Sequence, residues 1–207
     1  MSPGEPWRLP RLESRRLVLR PLTAQDEVSV FGYASDPEVS RYTLWNPHRN
    51  PEDTRSFLRQ VEENYRQQVP DPFALELRSE PGKVIGTAGC YWASEPHRTM
   101  ELGYALGRPY WGQGLAAEAA WVVICFAFAI YPVQRLQARV VSGHLQSTRV
   151  LDKVGMSHEG RLRSALLLGD EPRDVEMFSL LRPEWQKRVA ASHPVTPLSP
   201  ADPTAKP

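Results

Sequence analysis

The chain has 207 residues, 41% hydrophobic and 24% charged, and its 25 basic and 24 acidic side chains leave a formal net charge of +1. That length suits one domain with a sizeable core, and so even a balance argues against a surface built chiefly for nucleic acid. The two cysteines lack a Cys-x-x-Cys spacing and read as reduced, buried thiols, while the five histidines lack ligand spacing and point to no metal.

Residues 1–11 read as a flexible N-terminus, and Met1-Ser2-Pro3-Gly4-Glu5 does not open a secretory signal. Residues 15–21 alternate as a strand. A polar, periodic region follows to about residue 68, with Asp36-Pro37 and Asn50-Pro51 as helix starts, each a capping side chain followed by a pre-set proline. Residues 73–77 and 84–92 read as strands joined by the turn Glu80-Pro81-Gly82-Lys83. Residues 100–106 form a fourth strand, broken by Gly107-Arg108-Pro109, and residues 116–130 a helix. Its apolar run is too short to span a bilayer and reads as buried. A strand over 135–142 and a shorter helix ending at Gly155 come next, the glycine suiting the left-handed position after a helix. Two strands flank Gly169-Asp170-Glu171-Pro172, and residues 189–207, rich in Pro, Ser, Thr and Ala, are expected to be disordered. The expectation is one mixed α/β domain over 12–188, soluble and cytoplasmic, with no membrane or nucleic-acid partner, as a monomer or homodimer.

Between the fourth strand and the long helix lies Tyr110-Trp111-Gly112-Gln113-Gly114-Leu115-Ala116-Ala117-Glu118. A tight glycine turn before a helix leaves the first amides without intrahelical partners, at the positive end of the helix dipole. With no side chains at Gly112 and Gly114, an oxyanion can approach those amides closely. A Walker loop is excluded, because Leu115 and Ala116 stand where it needs Lys and Ser or Thr. A dinucleotide fold wants a carboxylate closing the next strand, and residues 135–142 carry none. The plainer alternative is a helix start that happens to be rich in glycine.

Glu101-Leu102-Gly103-Tyr104 followed by Pro109-Tyr110-Trp111-Gly112-Gln113-Gly114-Leu115-Ala116 and Glu118-Ala119 resembles the acetyl-CoA-binding core of the GNAT N-acetyltransferases. Within that family it looks most like the RimJ/RimL-like branch, which acetylates protein N-terminal amines. Leu12-Glu13-Ser14-Arg15-Arg16-Leu17-Val18-Leu19-Arg20-Pro21-Leu22 with Asp26 is similar to that branch's opening strand. Ser147-Thr148-Arg149-Val150-Leu151-Asp152-Lys153-Val154-Gly155-Met156 with Glu159-Gly160 is similar to its second cofactor-side helix.

The resemblance implies a GNAT-like fold: a mixed, mostly antiparallel sheet flanked by helices, with a splayed strand pair at the acetyl-CoA site. It places the pantetheine arm against Ala105 and Leu106 and the pyrophosphate on the loop of Trp111, Gly112, Gln113, Gly114, Leu115 and Ala116. His144 stands where the branch usually has a cofactor-binding Asn, and an imidazole copies only one of that amide's two functions. Glu101 is the candidate base for the amine; an outward-facing or structural Glu is the alternative. Ser147 matches the serine near the departing thiol, or is an ordinary helix cap. Relatives carry a tyrosine acid where this chain has Leu151, and a carboxylate where it has Leu166. Acceptor-side candidates are Tyr42, Trp45, Tyr65 and Tyr104, with core or its rim as the alternative for such aromatics, and the Glu62-Glu63 pair either attracts a cationic acceptor or is a solvated face.

The implied reaction is acetyl transfer from acetyl-CoA to a primary amine, with a protein or peptide α-amine first in line. An α-amine has a pKa of about 8 and a lysine amine about 10.4, so neutral lysine is about 300-fold rarer and demands a stronger base. Two other readings stand beside it. One is acetylation of a small-molecule amine, such as a polyamine, an amino acid or an aminoglycoside; the other is an acetyl-CoA-binding module without catalysis.

Overall fold

The computed structural model describes residues 9–191, so residues 1–8 of the expected flexible N-terminus and 192–207 of the expected tail lie outside the described residues. Eight strands make one sheet: β1 (Leu12–Glu13), β2 (Leu17–Arg20), β3 (Phe73–Leu77), β4 (Val84–Ser94), β5 (Thr99–Leu106), β6 (Arg135–Val141), β7 (Ser157–Leu168) and β8 (Glu171–Leu181). Their order is β1-β2-β3-β4-β5-β6-β8-β7, and every neighbouring pair is antiparallel except β5 with β6. The helices are α1 (Glu27–Ala34), α2 (Pro37–Ser40), α3 (Pro51–Arg66), α4 (Leu115–Ile130), α5 (Leu145–Lys153) and α6 (Arg182–Ala191).

Local chemistry accounts for most of these boundaries. The Asn50 side chain accepts from the amides of Glu52 and Asp53 and so caps α3, with Pro51 at its first position. Asp36 does the same for α2 through the Glu38 amide. Gly155, at φ +81°, closes the turn after α5. In β6 the alternation buries Leu136, Ala138 and Val140 and leaves Arg135, Gln137 and Arg139 on the other face.

Helices cover both faces of the sheet. On one side α4 buries Leu115, Ala119, Val123, Ile124 and Phe128, joined by Leu151 of α5, against strand residues such as Leu19, Leu75, Met100 and Leu136. On the other, Val30, Tyr33, Leu58 and Val61 from α1 and α3 pack on Ala74 and Val84. Arg20 bonds Asp26 at 2.7 and 2.8 Å and Glu76 at 2.7 Å, locking β2 and β3 to the turn before α1.

Among the described residues no helix is long and apolar enough to cross a membrane. Two boundaries differ from expectation. Leu9, placed in the flexible N-terminus, is buried in the core on the α4 side. The final helix runs past residue 188 to Ala191, because Trp185 stacks on Phe128 at 5.1 Å and Arg182 donates to the carbonyls of Phe128, Tyr131 and Val133.

The feature that makes a site is a parting of strands. The β5–β6 ladder pairs Thr99 with Arg135, Met100 with Leu136 and Glu101 with Gln137, and stops there. Beyond it β5 stays with β4 as far as Leu106, and β6 stays with β8 as far as Val141. Each strand follows its outer neighbour, and a gap opens between them.

Candidate active site

At the far end of β5 the chain turns into a glycine loop. The Gly107 amide donates to the Ile85 carbonyl at 2.8 Å, a single 3-10 turn spans Arg108–Tyr110, and Gly112 and Gly114 adopt φ of +73° and +76°. These left-handed conformations suit glycine and turn the loop sharply into α4. Nothing lies within 4 Å of where a Cβ on Gly112 would stand. The amides of residues 112–117 have no backbone acceptor among the described residues, and Gly114 caps α4 without a side-chain bond. Open space over unpaired amides at the start of a 16-residue helix fits a diphosphate.

A cation stands beside this cradle. Arg16 donates through Nη1 to the Gln113 carbonyl at 2.9 Å and through Nε to Glu118 at 2.7 Å, and its own amide reaches Glu118 at 2.7 Å. Ser14 Oγ adds a third bond to that carboxylate at 2.8 Å. Burial alone would raise the Glu118 carboxyl, but the hydrogen bonds from Arg16 and Ser14 bring it below the usual value. Sequence reasoning had both residues inside its motifs and missed their pairing, since nothing local joins positions 102 residues apart.

The expected loop residues divide between backbone and brace. Trp111 Nε1 donates to the Leu106 carbonyl at 2.7 Å, and Gln113 Nε2 to the Pro109 carbonyl at 2.9 Å, so both side chains hold the loop. Leu106 and Leu115 point into the core, and what Leu115 offers a ligand is its amide. Ala105 lines the gap, whereas the Leu106 carbonyl is already taken by the indole.

The gap between β5 and β6 opens into a cleft of about 460 Å³. Glu101, the last residue of β5 paired with β6, lines it. Both of its oxygens accept from Arg139 Nε, at 2.8 and 3.0 Å, and Oε2 also accepts from Gln137 at 3.0 Å. The ladder explains the set: Gln137 lies opposite Glu101, and Arg139 is two residues further along the same face. Arg139 was not anticipated, because strand register cannot be read from the sequence.

Tyr104, expected on the acceptor side, also lines the cleft, but from the other face of β5. It is three residues from Glu101 on one strand and so points to the opposite face, toward α5. There its hydroxyl meets Ser147 Oγ at 2.9 Å. Burial pushes the Tyr104 phenol well above its ordinary value, so it stays protonated. Ser147 is no helix cap: α5 starts at Leu145, and the serine is the third helical residue with its hydroxyl paired to Tyr104 in the cleft.

Tyr42 and Trp45, from the loop between α2 and α3, both line the cleft. Tyr42 stacks on His144 with centroids 4.3 Å apart, joining the acceptor-side loop to the start of α5, and burial lowers the His144 pKa. Leu151 and Leu166 both line the cleft. Tyr65 is elsewhere, its hydroxyl taking the Leu22 amide and donating to the Pro72 carbonyl, while Glu62 and Glu63 pair with Arg66 in solvent.

A backbone cradle for a diphosphate, opening onto a gap between parted strands, defines an acyl-CoA-dependent transferase. Residues 16–157 match the family model described as an acetyltransferase (GNAT) domain. The chain belongs to the GNAT family of acetyl-CoA-dependent N-acetyltransferases. It is 30% identical over 174 residues to an uncharacterized N-acetyltransferase, p20, of Bacillus licheniformis, covering 84% of this chain and 97% of that one. It is 25% identical over 183 residues to the [ribosomal protein uS5]-alanine N-acetyltransferase of Escherichia coli, covering 84% and 92%. A GNAT acetyltransferase structure from Bacillus anthracis superposes with a TM-score of 0.74 at 26% identity, over 84% of this chain and 99% of that one.

Proposed function

We propose that this enzyme acetylates the α-amine of a protein or peptide N-terminus, in the manner of the RimJ/RimL-like branch. The observation that carries the reading is the charge of the cleft. Its lining holds one carboxylate, Glu101, and that carboxylate is bound by Arg139. A polyamine or aminoglycoside brings several cations and would find no second acid among the described lining residues. An α-amine brings a single positive charge, loses it near neutral pH, and asks little of its base. The likeness to an enzyme named for ribosomal-protein alanine supports the same choice.

In this reading the amides of residues 112–117 and Arg16 hold the pyrophosphate of acetyl-CoA, and Ala105 borders its pantetheine arm. Glu101 takes the amine proton, directly or through water, by releasing one of its bonds to Arg139 or Gln137. The nitrogen bonds to the acetyl carbon, the carbon–sulfur bond breaks, and the Ser147 hydroxyl faces the departing sulfur. The Tyr104 hydroxyl pairs with Ser147 Oγ and holds the serine in place to give its proton to the thiolate. A tyrosine from β5 thus serves the place that Leu151 leaves vacant.

The test is competition, with acetyl transfer from labelled acetyl-CoA followed by mass spectrometry. The acceptors are a peptide with a free α-amine, the same peptide α-blocked but bearing lysine, and spermidine. The α-amine is expected to be acetylated at least tenfold faster than either rival. Faster acetylation of spermidine would establish the small-molecule reading instead.

A further inference from the structure

The ion pair in the cleft has more to offer than a base. Arg139 spends only Nε on Glu101, and neither of its terminal nitrogens has a hydrogen-bond partner among the described residues. The side chain lines the cleft and is 37% exposed. No lysine or other arginine is among the described lining residues, and His144 is kept neutral by burial. A guanidinium carries five donors in a planar fork, so most of Arg139's capacity is left at the acceptor end beside Glu101. An acceptor that is only an amine cannot use it. An α-aminoacyl group can, since a carbonyl or carboxylate oxygen lies on the carbon next to the one bearing nitrogen.

We infer that the Glu101–Arg139 pair is a two-point reader of the α-aminoacyl unit, Glu101 accepting from its amine and the terminal nitrogens of Arg139 donating to its oxygen. The inference rests on the α-amine reading and narrows it. Recognition reaches past the nitrogen to the first carbonyl, and a bare primary amine forfeits that contact. The neighbouring walls, Leu44, Trp45, Tyr91 and Leu166, carry no charge and leave Arg139 as the one cation among the described lining residues for that oxygen.

Phenylalaninamide and 2-phenylethylamine differ only by the carboxamide, so kcat/KM for each is measured by thiol release in wild type and in Arg139→Gln. The two amines differ in basicity, and Glu101 loses a charged neighbour in the variant, but both differences cancel when the ratio of substrates is compared between proteins. That ratio is expected to fall about 10- to 100-fold in Arg139→Gln, the loss typical of a charged hydrogen bond. If Arg139→Gln does not fold, Arg139→Lys carries the same test, with a smaller drop because an ammonium lacks the fork. An unchanged ratio with both amines acetylated overturns the inference and leaves the acetyltransferase intact. Turnover of spermidine with none of phenylalaninamide or peptide overturns the α-amine reading and the inference with it.

Discussion

The two ends of the active site are built in opposite ways. The cradle is contiguous chain: its ligand-facing groups are backbone amides of residues 112–117, and its side chains serve as braces. The cleft is assembled from afar, with Tyr42 and Trp45 from a loop, Glu101 from β5, Arg139 from β6, His144 and Ser147 around α5 and Leu166 from β7. A backbone site tolerates many side chains so long as its glycines stay. A side-chain site changes its specificity with single substitutions. The division predicts that binding of the donor and chemistry at the acceptor can be broken separately.

The largest separation should come from Glu101→Gln. Turnover is expected to fall by about 10²–10⁴, the usual effect of losing a general base. Affinity for acetyl-CoA, read by calorimetry, should hold. Unchanged turnover would remove Glu101 from the mechanism, and loss of both would mean that the two ends are one unit. The converse variant is Gly112→Val. Since no protein atom lies near the position of its Cβ, the fold suffers backbone strain of about 1–2 kcal/mol, while the new side chain covers the amides. Loss of two charge-assisted bonds to the pyrophosphate should weaken CoA by about 100-fold.

Acid should probe the acceptor half through its supporting strands. Glu176 of β8 accepts from Ser142, His158 and Arg161, and these bonds, Ser142 first, hold its carboxyl down at about 2 against an ordinary 4.5. A carboxylate depressed in the folded state stabilises it fully above pH 4.5 and loses that contribution as pH falls toward about 2. Urea midpoints of wild type and Glu176→Gln should therefore differ at pH 6 and converge near pH 2. A constant gap would mean that the carboxylate's charge is not what matters. The smallest effect is expected at the join between the halves. His144→Asn supplies both functions of an amide in place of the imidazole and should lower KM for acetyl-CoA about threefold, one neutral hydrogen bond's worth. A rise in KM would show that the imidazole, or its stack on Tyr42, is itself the better ligand.

The same contrast explains what the sequence could reveal. The cradle was legible because strand, glycine turn and helix follow one another in Glu101 to Ala119, and helix caps such as Asp36 and Asn50 are equally local. The pairing of Glu101 with Arg139 and of Arg16 with Glu118 depends on register and packing between segments far apart in the chain. Tyr104 is different: the signal was present, since a three-residue offset from Glu101 on a strand already implies the opposite face. Ser147 was ambiguous because a serine near a helix start resembles a cap, and only the actual start at Leu145 decides. The helix ending at Ala191 is held by Arg182 and Trp185 through partners on a distant segment, which no local signal shows.

The central claim, that acetyl-CoA sits on the glycine cradle, is tested most directly by thermal melting with acetyl-CoA and with NAD. At 100 times its dissociation constant a ligand adds about 2.7 kcal/mol, which for a chain of this size raises Tm by about 5–10 °C. Wild type should shift with acetyl-CoA and not with NAD, and Gly112→Val at the same concentration should shift little. A wild type that responds only to NAD, or a Gly112→Val that responds to acetyl-CoA as fully as wild type, would contradict it.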